Sequence, residues 1–190
     1  MNLYVVRHGE TADNARRILQ GHLPGKLSGK GLRQAEKVAM RLEGVKFDFI
    51  YSSDLKRVVD TTKKIVVHHK APIFFKENLR ERYMGIYQGR SVDEVDAVNL
   101  PLGVETTDAM RVRVHDAVDE IFRNHPHSNV LIVSHGGFSR VLHMIMLGIP
   151  TERFREVEKP KNTSVYIYEL EENLKGKIVL ENCIKHLEEI

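Results

Sequence analysis

The chain has 190 residues, 42% of them hydrophobic and 29% charged, with a net charge of +3, which suits a single domain over 1–190 that buries roughly 70% of its unfolded surface. No low-complexity run points to disorder, no apolar stretch reaches the ~20 residues that span a bilayer, and the scattered Lys and Arg argue against a nucleic-acid or membrane partner, while leaving a small anionic substrate compatible. A lone cysteine, Cys183, and an N-terminus without a signal-peptide pattern lead us to expect a reducing, cytoplasmic setting.

In chain order, Leu3 to Val6 form an apolar run that breaks into Arg7, His8, Gly9 and Glu10, the pattern of a buried strand over 3–7. Leu32, Ala35, Ala39 and Leu42 recur at helical spacing over 29–43, with Ser28 as the expected N-cap. A second strand is expected at 47–52. A helix over 55–68 follows it, with a stripe of Leu55, Val58, Val59, Thr62, Ile65 and Val66 and Asp54 as its cap. The stretch 90–105 is the least regular and is expected to be a loop or short helix over a site. Beyond it come a helix over 107–124, a strand over 129–135 and an apolar helix over 137–147 that stops before Gly148 and Pro150. The tail reads as a hairpin, with strands at 163–170 and 177–183 around "EENLKG". Alternating strand and helix imply an α/β fold: a three-layer α/β/α sandwich with a mostly parallel central sheet and an antiparallel C-terminal addition.

In such sheets ligands bind outside the carboxyl ends of the strands. One strand ends in Arg7-His8-Gly9, a second leads through Ser52 and Ser53 to Arg57, and a third ends in Ser134-His135-Gly136. Any one of these is an ordinary turn or helix residue. Two apolar runs that both end in His-Gly, with Arg7 before the first and Arg57 after a third strand end, point to a shared anion site. Guanidinium groups grip phosphate oxygens in pairs, and a neutral imidazole is a nucleophile for phosphorus. A metal site is disfavoured by the flanking arginines and by the lack of a carboxylate beside His135. A serine hydrolase is disfavoured because no Gly-x-Ser-x-Gly elbow is present.

Four segments in order, "VRHGET", "SSDLKR", "LRERYMGIYQG" and "VSHGG", resemble the motifs of the histidine phosphatase superfamily, in the branch that holds phosphoglycerate mutases and small phosphatases. The resemblance covers residues 3 to about 168. It implies a metal-independent ping-pong reaction in which His8 takes the phosphoryl group of a phosphomonoester and water releases it, with no cofactor. Arg7, Arg57 and His135 would surround the transferring group. Asn14, Gln20, Gly21 and Gly136 would contact phosphate, and Glu81 would serve as general acid and base. Glu10 is read as support for the loop, and among the remaining histidines only His22 lies in a loop able to touch substrate.

Two alternatives stay open. A mutase would carry a longer insertion after "QG" with a Lys and an Arg pair, whereas the interval from Gly89 to Thr107 is short and Arg90 is its only basic residue. Met84 also stands where the family mutase has Tyr. A phosphatase acting on a small phosphorylated metabolite is therefore expected, the loop "QGHLPGKLSGKG" being similar to those of α-ribazole and broad-specificity phosphatases. A non-catalytic phosphate-binding module on the same fold would be expected to lack His8, Arg57 or Glu81, and all three are present. The sequence does not choose between monomer and dimer.

Overall fold

The computed structural model describes residues 1–95 and 101–188. Its strands are β1 (Asn2–Arg7), β2 (Phe49–Ser53), β3 (Ile73–Lys76), β4 (Asn129–Ser134), β5 (Val165–Leu170) and β6 (Gly176–Cys183). They form one sheet in the order β3-β2-β4-β1-β5-β6. The first four run parallel to one another, and β5 lies antiparallel to β1 and β6 antiparallel to β5. The helices are α1 (Ala12–Ala15), α2 (Gly29–Leu42), α3 (Lys56–Ile65), α4 (Thr107–Asn124) and α5 (Gly136–Met146). None of the helices among the described residues is long and apolar enough to cross a membrane.

The central strands are apolar at nearly every position because both faces are covered. Along β4, Leu131 and Val133 pack with Val38, Leu42, Val58 and Ile65 of α2 and α3. The intervening Val130 and Ile132 pack with Val114, Val118, Phe138 and Leu142 of α4 and α5. The expected three layers and antiparallel tail are thus present. Because β5 runs against β1, with Val165 opposite Val6, the segment that leads into β5 lies at the edge where β1 ends.

Several local expectations change. β3, "IFFK", is a four-residue edge strand that the sequence pattern did not reveal. Leu32 is exposed. The buried face of α2 instead uses Gly31, Gln34, Ala35, Val38, Ala39 and Leu42, while Ser28 does cap the helix by accepting from the Gly31 amide. Asp54 does not cap α3, which starts at Lys56 after Leu55. Its carboxylate is taken by Arg80, which holds it below the usual carboxylate range. Of the expected loop over 90–105, residues 96–100 lie outside the described residues; Val92–Glu94 is a 3₁₀ turn and Ser91 bridges to Ile18.

One close approach fixes the loop after β1. A methyl group added at Gly31 would collide with the Glu10 carbonyl, and one added at Gly9 would collide with the Gly31 carbonyl. Backbone cannot yield as a flexible side chain can, so Gly31→Ala is expected to cost roughly 1–3 kcal/mol. A urea titration should show an earlier midpoint with an unchanged slope; an unchanged midpoint would mean that this contact is not tight.

Candidate active site

β1, β2 and β4 are parallel neighbours, so their ends deliver His8, Ser53 and His135 to one edge of the sheet. His8, Arg57 and His135 are almost wholly buried, at 2%, 1% and 0% exposure, and the two imidazole rings sit edge to face at 5.4 Å. His8 Nδ1 lies 2.7 Å from the Gly9 carbonyl. A carbonyl only accepts, so Nδ1 carries the proton and the lone pair is on Nε2. That lone pair accepts from Arg57 Nε at 3.3 Å.

The guanidinium of Arg57 is fixed at its other end as well. Nη1 donates to the Leu23 carbonyl at 2.5 Å and Nη2 to the Gly21 carbonyl at 2.8 Å. Burial brings it down to about 10, which still leaves it cationic at neutral pH. Arg7 donates through Nη1 to the Pro160 carbonyl at 2.6 Å, and its buried Nε has no hydrogen-bond partner among the described residues. Gly136, the first residue of α5, gives that guanidinium room, since a Cβ there would lie 3.1 Å from Arg7 Nε. His135 Nε2 is 2.9 Å from Ser53 Oγ, and its buried Nδ1 likewise lacks a partner. Two buried polar nitrogens on adjoining strand ends are costly to leave unpaired, and an anion bound between them would satisfy both.

Glu81 reaches this volume from the loop after β3. Its Oε2 accepts from the Gly137 amide at the start of α5, 2.9 Å away, and its Oε1 from the Arg82 amide at 2.8 Å. Gly137 is required, because a Cβ there would collide with the Glu81 carboxylate. His22 donates from Nε2 to the Glu81 carbonyl at 2.8 Å and rests against Tyr83. Met84 and Tyr87 pack under the loop with Val104. Asn14, in the first turn after β1, uses Oδ1 to accept from the Thr11 amide at 3.2 Å. Gln20 bonds Thr11 Oγ1 at 2.7 Å. Gly21, which the resemblance puts in contact with phosphate, contributes its carbonyl to Arg57. Glu10 braces the loop through Ser28 and Lys30, as expected.

Asn162 belongs to none of the sequence motifs. Its Nδ2 donates to the His8 carbonyl at 3.1 Å and to Asn14 Oδ1 at 3.3 Å, while the Thr163 amide donates to the Arg7 and His8 carbonyls. The available signal was topological: a strand antiparallel to β1 must begin where β1 ends. Ser53 was visible within "SSDLKR" but received no role.

The electrostatics favour neutral imidazoles. Burial, and then the charges of Arg57 and Arg7, push His8 well below its ordinary range; burial and Arg57 do the same to His135. The unfolded chain takes up these two protons near pH 6.5, whereas the folded chain refuses them, so stability must fall as pH drops below about 6.5. Each such histidine steepens the fall by up to about 1.4 kcal/mol per pH unit. Urea midpoints measured from pH 7.5 to 5 should decline, and His8→Asn should flatten the decline. A flat wild-type profile would mean that the imidazoles are not held neutral.

The family described as histidine phosphatase superfamily (branch 1) matches residues 3–183. The chain is 35% identical to phosphoglycerate mutase-like protein 4 of Arabidopsis thaliana, over 98% of this chain and 87% of that one. It is 34% identical to the broad-specificity phosphatase YOR283W of Saccharomyces cerevisiae, over 75% and 68% of the two chains. The solved structure of Bacillus stearothermophilus YhfR superposes with a TM-score of 0.90 at 28% identity, covering 97% of this chain and 98% of that one.

Proposed function

This chain belongs to the histidine phosphatase superfamily (branch 1), and we propose that it hydrolyses a small phosphomonoester through a phosphohistidine on His8, with Glu81 as general acid and base. The observation that carries the reading is the Nε2 lone pair of the buried His8, which accepts only from Arg57 Nε among the described residues, in a cluster where the buried Arg7 Nε and His135 Nδ1 have no hydrogen-bond partner among them.

The steps follow from that arrangement. Phosphate oxygens take up the N–H groups of Arg7, Arg57 and His135, and Arg57 Nε releases the His8 lone pair as it turns to the anion. Asn14, Gln20, Gly21 and Gly136 line the same cradle. His8 Nε2 then bonds to phosphorus while the bond to the leaving oxygen breaks, and that oxygen takes a proton from the Glu81 carboxyl group. The imidazole becomes cationic as it is phosphorylated, and its Nδ1–H bond to the Gly9 carbonyl strengthens with that charge. Water next attacks phosphorus, gives its proton to the Glu81 carboxylate, and the P–N bond breaks to restore the lone pair. The arginines and His135 stabilise the charge spread over the equatorial oxygens in both transfers.

This chemistry needs no metal, so turnover of p-nitrophenyl phosphate is expected in EDTA between pH 5 and 8. Absence of turnover across that range would remove the phosphatase reading. The likeness to a phosphoglycerate mutase-like protein supports a second reading, in which a phosphoglycerate rather than water receives the phosphoryl group. Incubation of 3-phosphoglycerate with 2,3-bisphosphoglycerate separates the two: free phosphate supports hydrolysis, and interconversion of the glycerates with little phosphate supports transfer.

A further inference from the structure

We propose that Ser53 and Asn162, which stand behind the groups facing the phosphate, are positioning residues that fix which way His135 and Asn14 present their hydrogens. The inference rests on the reading of this pocket as a phosphoryl site. It concerns how the groups expected to face phosphate oxygens are made N–H donors, so that His8 alone among the two imidazoles offers its lone pair.

Among the described residues, Ser53 Oγ has two hydrogen-bond neighbours. The Leu55 amide donates to it at 3.3 Å, and His135 Nε2 lies 2.9 Å away. An amide cannot accept, so the hydroxyl proton has one acceptor within reach, the lone pair of His135 Nε2. A neutral imidazole that accepts at Nε2 must carry its proton on Nδ1, the buried atom that has no partner among the described residues. Ser53 therefore turns His135 into a donor toward the pocket. The opposite tautomer would aim a lone pair at the phosphate oxygens and repel them.

Asn162 does the same for Asn14. Both acceptors of its Nδ2, the His8 carbonyl and Asn14 Oδ1, are oxygens. Asn14 Oδ1 is thus held by Asn162 and by the Thr11 amide, which leaves the Asn14 NH₂ group as the end of the amide that can donate to a phosphate oxygen. Both bonds originate outside the residues that touch phosphate, and both set polarity rather than supply charge.

The direct test for Ser53 is ¹⁵N NMR of the histidine side chains in the unliganded protein at neutral pH. His135 is expected as the Nδ1–H tautomer in wild type and in Ser53→Thr, and as a mixture in Ser53→Ala. In kinetics, Ser53→Ala is expected to lower kcat/KM for p-nitrophenyl phosphate by about tenfold or more and to raise Ki for orthovanadate, with recovery in Ser53→Thr. Ser53→Cys, with a weak S–H donor, should fall between them and covers the case in which threonine does not fit. For Asn162, substitution by Asp faces oxygen with oxygen and should raise Ki for vanadate more than Asn162→Ala does. An Nε2–H tautomer in wild type would overturn the proposal, as would an unchanged tautomer with unchanged kinetics in Ser53→Ala. If wild type turns over no phosphomonoester yet shows the Nδ1–H tautomer shifting in Ser53→Ala, the hydrolytic reading fails and the positioning role stands.

Discussion

Replacing His8 with alanine is expected to lower kcat/KM for every phosphomonoester on the order of 10⁵-fold while leaving the chain folded. The size follows from the loss of the covalent route: without Nε2, water must attack a bound dianion directly, and the arginines only orient it. Folding should survive, because β1 is paired along its whole length with β4 and nearly as far with β5. Orthovanadate affinity should drop as well, since the missing imidazole is an axial partner. A His8→Ala variant with more than a few percent of wild-type turnover would place the nucleophile elsewhere.

Replacing Glu81 with glutamine should produce a loss that depends on the substrate. The carboxyl group matters because an alkoxide is a poor leaving group unless it is protonated as the P–O bond breaks, and such assistance is worth roughly 10²- to 10⁴-fold. Nitrophenolate leaves without help. Phosphorylation of the Glu81→Gln variant by p-nitrophenyl phosphate should therefore remain fast, while alkyl phosphates lose most of their rate. On the proposed route the second half-reaction also uses Glu81, as a base toward water, so the variant should accumulate phosphoenzyme. Equal losses with aryl and alkyl esters in the phosphorylation step, read as kcat/KM or as the burst rate, would argue against a proton-donating role. The amide retains the hydrogen bond from Gly137 on its oxygen but presents NH₂ to the Arg82 amide, so a control for correct seating is needed. Glu81→Ala, which removes both contacts, serves that purpose if it shows the same substrate dependence.

Much of this site was legible in the sequence because each major group follows a feature that is itself legible. His8 and His135 end long apolar runs, and a parallel sheet sends the ends of such runs to one edge. Arg57 follows from β2 by one helical turn. Glu81 carried no local signal, since a glutamate between two arginines is unremarkable; its place came from the family resemblance, and the structure adds that α5 receives it through the Gly137 amide. Asn162 and Ser53 were missed because their roles lie in what they orient. A hydrogen bond from a residue 148 positions away, Asn162 to Asn14, leaves no periodicity to read. β3 was missed because an edge strand of four half-exposed residues lacks both alternation and length. The error at Leu32 has a tertiary cause: Gly31 must meet the Glu10 carbonyl, and that contact rotates the buried face of α2 away from its neighbour. The Asp54 cap failed for a similar reason, because Arg80 offers that carboxylate a charged partner that a helix terminus does not.

The claim on which the rest depends is that the phosphoryl group passes through His8. Rapid mixing of the Glu81→Gln variant with p-nitrophenyl phosphate, quenching in base and mapping the phosphorylated peptide tests it. A burst of nitrophenol approaching one equivalent per chain is expected, with phosphate on the peptide that carries His8 and no burst once His8→Ala is added. Phosphate on His135 would place the nucleophile there, and full turnover with neither burst nor adduct would mean that water attacks phosphorus directly.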